Sequence, residues 1–307
     1  GMSPQFTRRR TLALTAAALA GCSAPPRSDD PADDPGESLS DEYDLTVDHD
    51  ETAWDGYDPD WSAPTESPEV ELTTEILIEN LEIPWDLAFA SDGELFITER
   101  TGRLLRYRSG EVVESTRPRD AIAAGAVPPG SDVEDEWWVE GGEGGTMGVT
   151  VHPNYPDVPM VYVYYTAEVG GGTVNRLAVM DDTDDDPGAN ATTLLEVPAE
   201  TYHNGGRITF GPANYLWVTT GDAGKESNAA DPASLAGKIL RLTPTGKPAP
   251  DNPDIGGDAD PRVFTYGHRN SQGIAWLPEA TPVISEHGGP PDEINLLSAG
   301  DNYGWPS

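Results

Sequence analysis

Downstream of Trp85 the chain returns four times to one arrangement: a short apolar run, a turn of Gly, Pro, Asn or Asp, a second apolar run, then small or polar residues. The copies begin at Trp85 (WDLAFASDGELFITER), Met147 (MGVTVHPNYPDVPMVYVYYT), Gly206 (GRITFGPANYLWVTTGD) and Gln272 (QGIAWLPEATPVISEHG). Aromatic and β-branched residues fill the runs and no 3.6-residue apolar period is sustained, so strands are predicted rather than helices. Superposed on Phe89, Val151, Phe210 and Trp276, the copies lie about sixty residues apart, a period that fits propeller blades of several short strands each. Pieces such as RLLRY and KILRLTP supply outer strands. The expectation is an all-β fold, a β-propeller covering roughly four blades. The last blade is expected to be incomplete, because the sequence stops at Ser307; an open ring of that kind leaves sheet edges and a blade face uncovered. A β-sandwich is the second reading, since strand spacing alone does not exclude it.

Upstream the pattern changes. TRRRTLALTAAALAGCS sets Arg8, Arg9 and Arg10 before an apolar stretch and the lipobox-like Leu19-Ala20-Gly21-Cys22. The stretch is too short to span a bilayer and reads as a twin-arginine signal peptide over residues 1–22. Lipidation at Cys22 would anchor an exported protein to the membrane. Cys22 is the only cysteine, which excludes an internal disulfide. Residues 23–71, rich in Pro, Asp, Glu and Ser, are expected to form a disordered acidic tether in which Trp54, Tyr57 and Trp61 do nothing specific. The propeller is expected over residues 72–307.

Charge narrows the partners. Fifty-four Asp and Glu face 18 Lys and Arg, a formal net charge of −36. Such a surface repels nucleic acid and anionic lipid. Disorder and adaptation of a folded protein to concentrated salt both give this composition; apolar runs such as MVYVYYT favour the halophilic reading. The acidic run DDTDDDPG from Asp181 to Gly188 lacks the spacing of a metal loop and reads as a solvated turn. Asn190-Ala191-Thr192 is a glycosylation sequon.

A set of motifs occurs in order: IPWDLAF, GGEGGTMGVTVHPNY, HNGGRITFGP, TTGDAG, AGKILRL, YGHRNSQGIAW, EHGGPPDEINLL and GDNYGWP. Over about residues 74 to 306 the chain resembles the soluble glucose/sorbosone dehydrogenase family, the PQQ-dependent aldose sugar dehydrogenases. The resemblance implies a six-bladed propeller that oxidises the anomeric carbon of sugars to lactones, passing hydride to a calcium-bound quinone and electrons on to an external acceptor. It implies His203 as general base, a role that suits imidazole near neutral pH. Arg269 and Asn270 would face the cofactor, the guanidinium stabilising oxyanion character on the reduced quinone. Gly205 and Gly206 would let the backbone pass beneath a flat cofactor. Glu143 would accept a hydrogen bond from a sugar hydroxyl. Carbonyls of Gly288 and Gly289 would bind the catalytic calcium, with Pro290 as a substitute for Gly289, and Glu293 with the Tyr303 carbonyl would hold a second calcium.

Arg207 is expected to anchor its blade to a carboxylate. The cations that hold the acidic quinone from the family's later blades fall beyond Ser307, so impaired catalysis is expected of this polypeptide alone. Two other functions fit the same fold: a sugar- or partner-binding propeller without turnover, and a calcium-dependent lactonase-type hydrolase.

Overall fold

Alternating apolar residues along each of the four copies pair into antiparallel sheets in the computed structural model, which describes residues 42–126, 139–140, 142–289 and 291–306. Blade 1 contains β1 (Pro84–Phe89), β2 (Leu95–Glu99), β3 (Leu104–Arg108) and β4 (Glu111–Thr116), paired in that order. A two-stranded pair follows, β5 (Gly125–Ala126) with β6 (Val139–Glu140). Blade 2 is β7 (Thr146–Val151), β8 (Met160–Val169), β9 (Gly172–Asp181) and β10 (Thr192–Pro198). Blade 3 is β11 (Ile208–Phe210), β12 (Leu216–Thr219), β13 (Lys238–Leu242) and β14 (Val263–Tyr266). Blade 4 has three strands among the described residues, β15 (Ser271–Trp276), β16 (Pro282–Glu286) and β17 (Glu293–Leu296). The arrangement is a β-propeller of four successive blades, and the sandwich reading falls away.

Local sequence explains the register. The longest hairpin, β8 with β9, closes between Val169 and Gly172. Gly170 and Gly171 occupy its turn at φ of 57° and 88°, the double left-handed geometry that two-residue hairpin turns need. Gly148 instead permits close packing. A Cβ there would come within 2.2 Å of the Gly206 carbonyl oxygen, so the inner strand of blade 2 meets the entry to blade 3 only because position 148 lacks a side chain.

Apolar cores form where blade packs on blade. Phe96 and Leu104 meet Val149, Val161 and Val163 between blades 1 and 2. Met147, Tyr162 and Leu177 meet Ile208, Leu216 and Leu240 between blades 2 and 3. Trp217, Ile239 and Phe264 meet Ile284, with Trp276 against them, between blades 3 and 4. Leu87 and Phe89 on β1 and Ile294 and Leu296 on β17 remain exposed.

Up-and-down order within each blade separates two faces. Turns from first to second strand lie on one; second-to-third-strand loops and blade-to-blade connections lie on the other. Residues 42–61 differ from the expected disordered tether, because they run across the first face as a strap. Tyr43 reaches Thr183, 3.3 Å between hydroxyl oxygens, on blade 2. Leu45 is 3% exposed and joins the core between blades 2 and 3. The His49 ring stacks on Tyr215 at 4.0 Å, and its Nδ1 donates to the Ala213 carbonyl at 2.8 Å. Asp58 N–H donates to the Pro278 carbonyl on blade 4 at 2.8 Å. The physical reason is the alternation Tyr43, Leu45, Val47 hidden within acidic residues, which gives the strap an apolar side. Trp54 lines one cavity with Phe210, Gly211 and Trp276. The signal peptide, Cys22, the tether as far as residue 41 and Pro290 lie outside the described residues.

Candidate active site

The loops of the second face surround a cavity of about 550 Å³. Its lining includes Glu143 from the connection before β7, Asn270 from the β14–β15 connection, and Glu286, His287 and Glu293 around the β16–β17 loop. Trp85 on β1 and Arg100 at the end of β2 complete the blade 1 side. His203 and Arg269 flank this cavity rather than line it. They are brought together around His287, whose ring lies 6.1 Å from the His203 ring and whose carbonyl accepts from Arg269 Nη1 at 3.2 Å.

His203 lies in the β10–β11 connection, is 6% exposed and has φ of 58°. That left-handed backbone is costly for a residue with a Cβ and persists only where its surroundings impose it. Here they do so with three contacts. Its N–H donates to Glu143 Oε2 at 2.7 Å, its carbonyl accepts from Ala223 N at 3.0 Å, and its Nδ1 meets Asp222 Oδ1 at 2.8 Å. A carboxylate only accepts, so Nδ1 carries the proton and Nε2 of the neutral ring is free to take another.

Asp222, in the β12–β13 loop, is 1% exposed. Burial alone would raise its carboxyl, but hydrogen bonds from His203, Trp305 and Gly224 outweigh that cost and hold it below its ordinary value. The indole Nε1 of Trp305 donates to Oδ2 at 2.8 Å and Gly224 N to Oδ1 at 2.8 Å. Behind it, α1 (Glu226–Ala230) presents Asn228, whose side chain donates to the Asp222 carbonyl at 2.9 Å. Fully buried Lys238 closes this loop, its Nζ donating to carbonyls of Asn228, Ala229 and Ala236 at 2.6, 3.1 and 2.8 Å. Burial pushes its ammonium down to about 7, with the Asp231 charge opposing.

Arg269 is held by its backbone and by its head. Its N–H donates to Glu286 Oε1 at 2.5 Å and its carbonyl accepts from Asp222 N at 2.8 Å. Nη1 donates to the carbonyls of His287 and Gly288, at 3.2 and 3.1 Å, and the guanidinium carbon sits 5.3 Å from the Trp305 ring centroid. Nε is buried without a partner. Glu286 also accepts from His268 Nδ1 at 2.8 Å and Ser271 Oγ at 3.1 Å. Burial raises this carboxyl, yet the bonds from His268, Arg269 and Ser271 carry it below its ordinary value.

The glycines serve the protein's own packing. A Cβ on Gly205 would lie 2.6 Å from Gly221 N, and one on Gly206 would lie 3.1 Å from the Met147 side chain. Asn270 Oδ1 accepts from Gly205 N at 3.0 Å, tying the histidine loop to the arginine loop. Arg207 anchors its blade as expected: it pairs with Asp86 of blade 1, donates Nε to the Gln272 carbonyl at 3.0 Å and lies 4.4 Å over Trp85.

For a divalent cation the fit is poor. Among the described residues no group of three or more His, Cys, Asp or Glu side chains is gathered. The Gly288 carbonyl already faces the Arg269 guanidinium at 3.1 Å, and Glu293 Oε2 accepts from Asn295 at 3.0 Å. The Tyr303 hydroxyl donates to the Leu296 carbonyl at 2.7 Å, a bond in which the Tyr303 carbonyl, the group expected to meet the ion, takes no part. In the Asp181–Gly188 turn, Asp181 accepts from Thr183 Oγ1 at 2.7 Å, Asp184 from Asn190 Nδ2 at 3.0 Å and Asp182 from the Tyr155 hydroxyl at 2.8 Å. The groups in the lining that suit an anionic planar ligand are the Arg100 guanidinium and the Trp85 ring, set among the carboxylates of Glu143, Glu286, Asp292 and Glu293.

Sequence reasoning passed over Asp222, Trp305, Arg100 and Glu286. Asp222 and Trp305 lay inside the motifs TTGDAG and GDNYGWP, but nothing local in either motif assigns them a partner.

The model of the family described as Glucose / Sorbosone dehydrogenase matches residues 81–307. The chain is 32% identical over 256 residues to the aldose sugar dehydrogenase YliI of Escherichia coli, covering 80% of this chain and 63% of that one. It is 28% identical to quinoprotein glucose dehydrogenase B of Acinetobacter calcoaceticus, covering 76% and 52%. Among solved structures, the PQQ-bound aldose sugar dehydrogenase of Streptomyces coelicolor is 34% identical with a TM-score of 0.63, covering 76% of this chain and 65% of that one. The chain thus spans between 52% and 65% of the lengths of these relatives.

Proposed function

The chain belongs to the glucose/sorbosone dehydrogenase family, and on that premise we propose that it oxidises the anomeric carbon of an aldose to a lactone, with PQQ as cofactor. The observation that carries this reading is the buried His203–Asp222 pair at 2.8 Å beside a clamped arginine. Asp222 holds the proton on Nδ1 and steadies the imidazolium that forms when Nε2 takes the proton from the sugar's anomeric hydroxyl. Glu143 and the Ala223 N–H fix the histidine backbone. Arg269 and Asn270 would hold the quinone, and the fixed guanidinium would balance negative charge developing on it without titrating. When bound, the quinone would supply the acceptor for the C1 hydride, and His203 would take the hydroxyl proton as the C1–O1 bond became a carbonyl. An external acceptor would then reoxidise the cofactor.

No step of this reading runs through calcium: of the donors expected for it, the Gly288 carbonyl accepts from Arg269 and Glu293 from Asn295. Export by the twin-arginine route, with a lipid anchor at Cys22 and a surface adapted to salt, completes the proposal; it rests on the motifs at Arg8–Arg10 and Leu19–Cys22 and on the net charge of −36. The test is calorimetric titration with PQQ, followed by dye reduction with aldose in the loaded protein. Binding and turnover, with turnover falling about 10²–10⁴-fold in His203→Ala, support the reading. Sugar binding without quinone binding favours a non-catalytic propeller, and lactone hydrolysis without quinone favours a hydrolase.

A further inference from the structure

Two groups of the proposed site come from different blades: His203 with Asp222 from the loops around blade 3, and Arg269 from the connection into blade 4. One side chain touches both. Trp305 follows a segment that runs beside the end of β14, with Tyr303 N donating to the Tyr266 carbonyl at 2.9 Å and Trp305 N to the Gly267 carbonyl at 2.9 Å. Its indole N–H then reaches Asp222 Oδ2 at 2.8 Å, while its ring lies 5.3 Å from the Arg269 guanidinium carbon.

We propose that Trp305 is a positioning residue that sets the base and the guanidinium in one fixed arrangement, through its N–H to Asp222 and its ring face to Arg269. The inference rests on the functional reading above. Its physical content is a count of constraints. Terminal carboxylate torsions are broad, and His203 and Gly224 both hold the same oxygen, Oδ1. The indole fixes the second oxygen, hence the carboxylate plane and, through it, the imidazole. On the other side, Arg269 Nη1 is fixed by two carbonyls, and that leaves the guanidinium plane free to rock unless a flat surface meets it. An indole offers a donor on its edge and a π face on a rigid body with two torsions. Phenylalanine has only the face, and leucine has neither.

The variants Trp305→Phe and Trp305→Leu separate the two contacts. Trp305→Phe is expected to lower kcat about 10-fold, as for a lost hydrogen bond to a charged group, with the aldose KM and the PQQ Kd unchanged. Trp305→Leu is expected to weaken PQQ binding in addition by about 5-fold, the scale of a partly desolvated cation–π contact. Because the first effect acts through Asp222, adding Trp305→Phe to Asp222→Asn should cost nothing further.

A readout free of cofactor and turnover is the 15N–1H spectrum of the indoles in the unloaded full chain, which holds eight tryptophans. Trp305→Phe identifies the signal, and Asp222→Asn should shift it upfield while His203→Ala leaves it downfield. An unmoved signal in Asp222→Asn, or losses that multiply in the double variant, would overturn the proposal. If the chain proves inactive with aldoses, the functional reading fails while the indole spectrum still decides the contact to Asp222.

Discussion

The two faces of the propeller differ in what is added to the blades. On the cavity face, polar side chains are buried and paired: His203 with Asp222, His268 with Glu286, and Lys238 with three carbonyls. On the opposite face, residues 42–61 add apolar and aromatic contacts, Leu45 in the core and His49 on Tyr215. The contrast follows from cost. Each buried polar group forfeits hydration that its partner only partly restores, and the left-handed backbone of His203 adds strain. Apolar burial by the strap contributes stability without touching the chemistry, about 1.5–3 kcal/mol for a side chain such as Leu45.

The comparison breaks if function and stability do not separate by face. The largest expected effect is that of His203→Ala on turnover, about 10²–10⁴-fold, beside a smaller stability loss from the hydrogen bond to buried Asp222. Leu45→Ala should do the reverse. A loss of about 2–4 kcal/mol in denaturant unfolding is expected, with kcat and KM intact well below the melting range. Equal damage to kcat in both variants would show the strap to be coupled to the site.

Acid sharpens the contrast. Asp222 and Glu286 have folded carboxyls below their ordinary values, so the stability they contribute is complete above the unfolded carboxylate pKa. It is lost as pH falls through the lower folded values, that is, below about pH 4. Asp86, paired with Arg207 between blades, has the opposite sign: burial raises its carboxyl despite the guanidinium. Its contribution is complete below its unfolded pKa and lost as pH rises through the folded one. Urea unfolding of Glu286→Gln should therefore show a shallower decline on the acid side than the parent, whereas Asp86→Asn should keep the decline. The smallest effect is expected for His49→Ala, about 0.5–1.5 kcal/mol from one stacked ring, read in the same unfolding experiment.

Much of the fold was legible in the sequence because a blade is a local object. Turn residues such as Gly170-Gly171 and the apolar runs that flank them lie within one copy, and the copy repeats. His203, Arg269 and Asn270 were legible through motifs kept in order. Partners were another matter. Asp222 lies 19 residues from His203 and Trp305 lies 83 from Asp222, and a lone aspartate among 54 acidic residues carries no mark of burial. The strap was misread for a related reason: composition averaged Tyr43, Leu45 and Val47 into their acidic neighbours, although their alternation is what docks them. Gly205 and Gly206 were recognised as close-approach positions, but what they admit is the Thr219–Gly221 backbone and the Met147 side chain.

The most direct test of the account is single-turnover reduction of bound PQQ by aldose, followed by absorbance in the parent chain, His203→Ala and Leu45→Ala. Reduction at the parent rate in Leu45→Ala, with bound but unreduced quinone in His203→Ala, is the result the account predicts. Reduction at the parent rate in His203→Ala would contradict it.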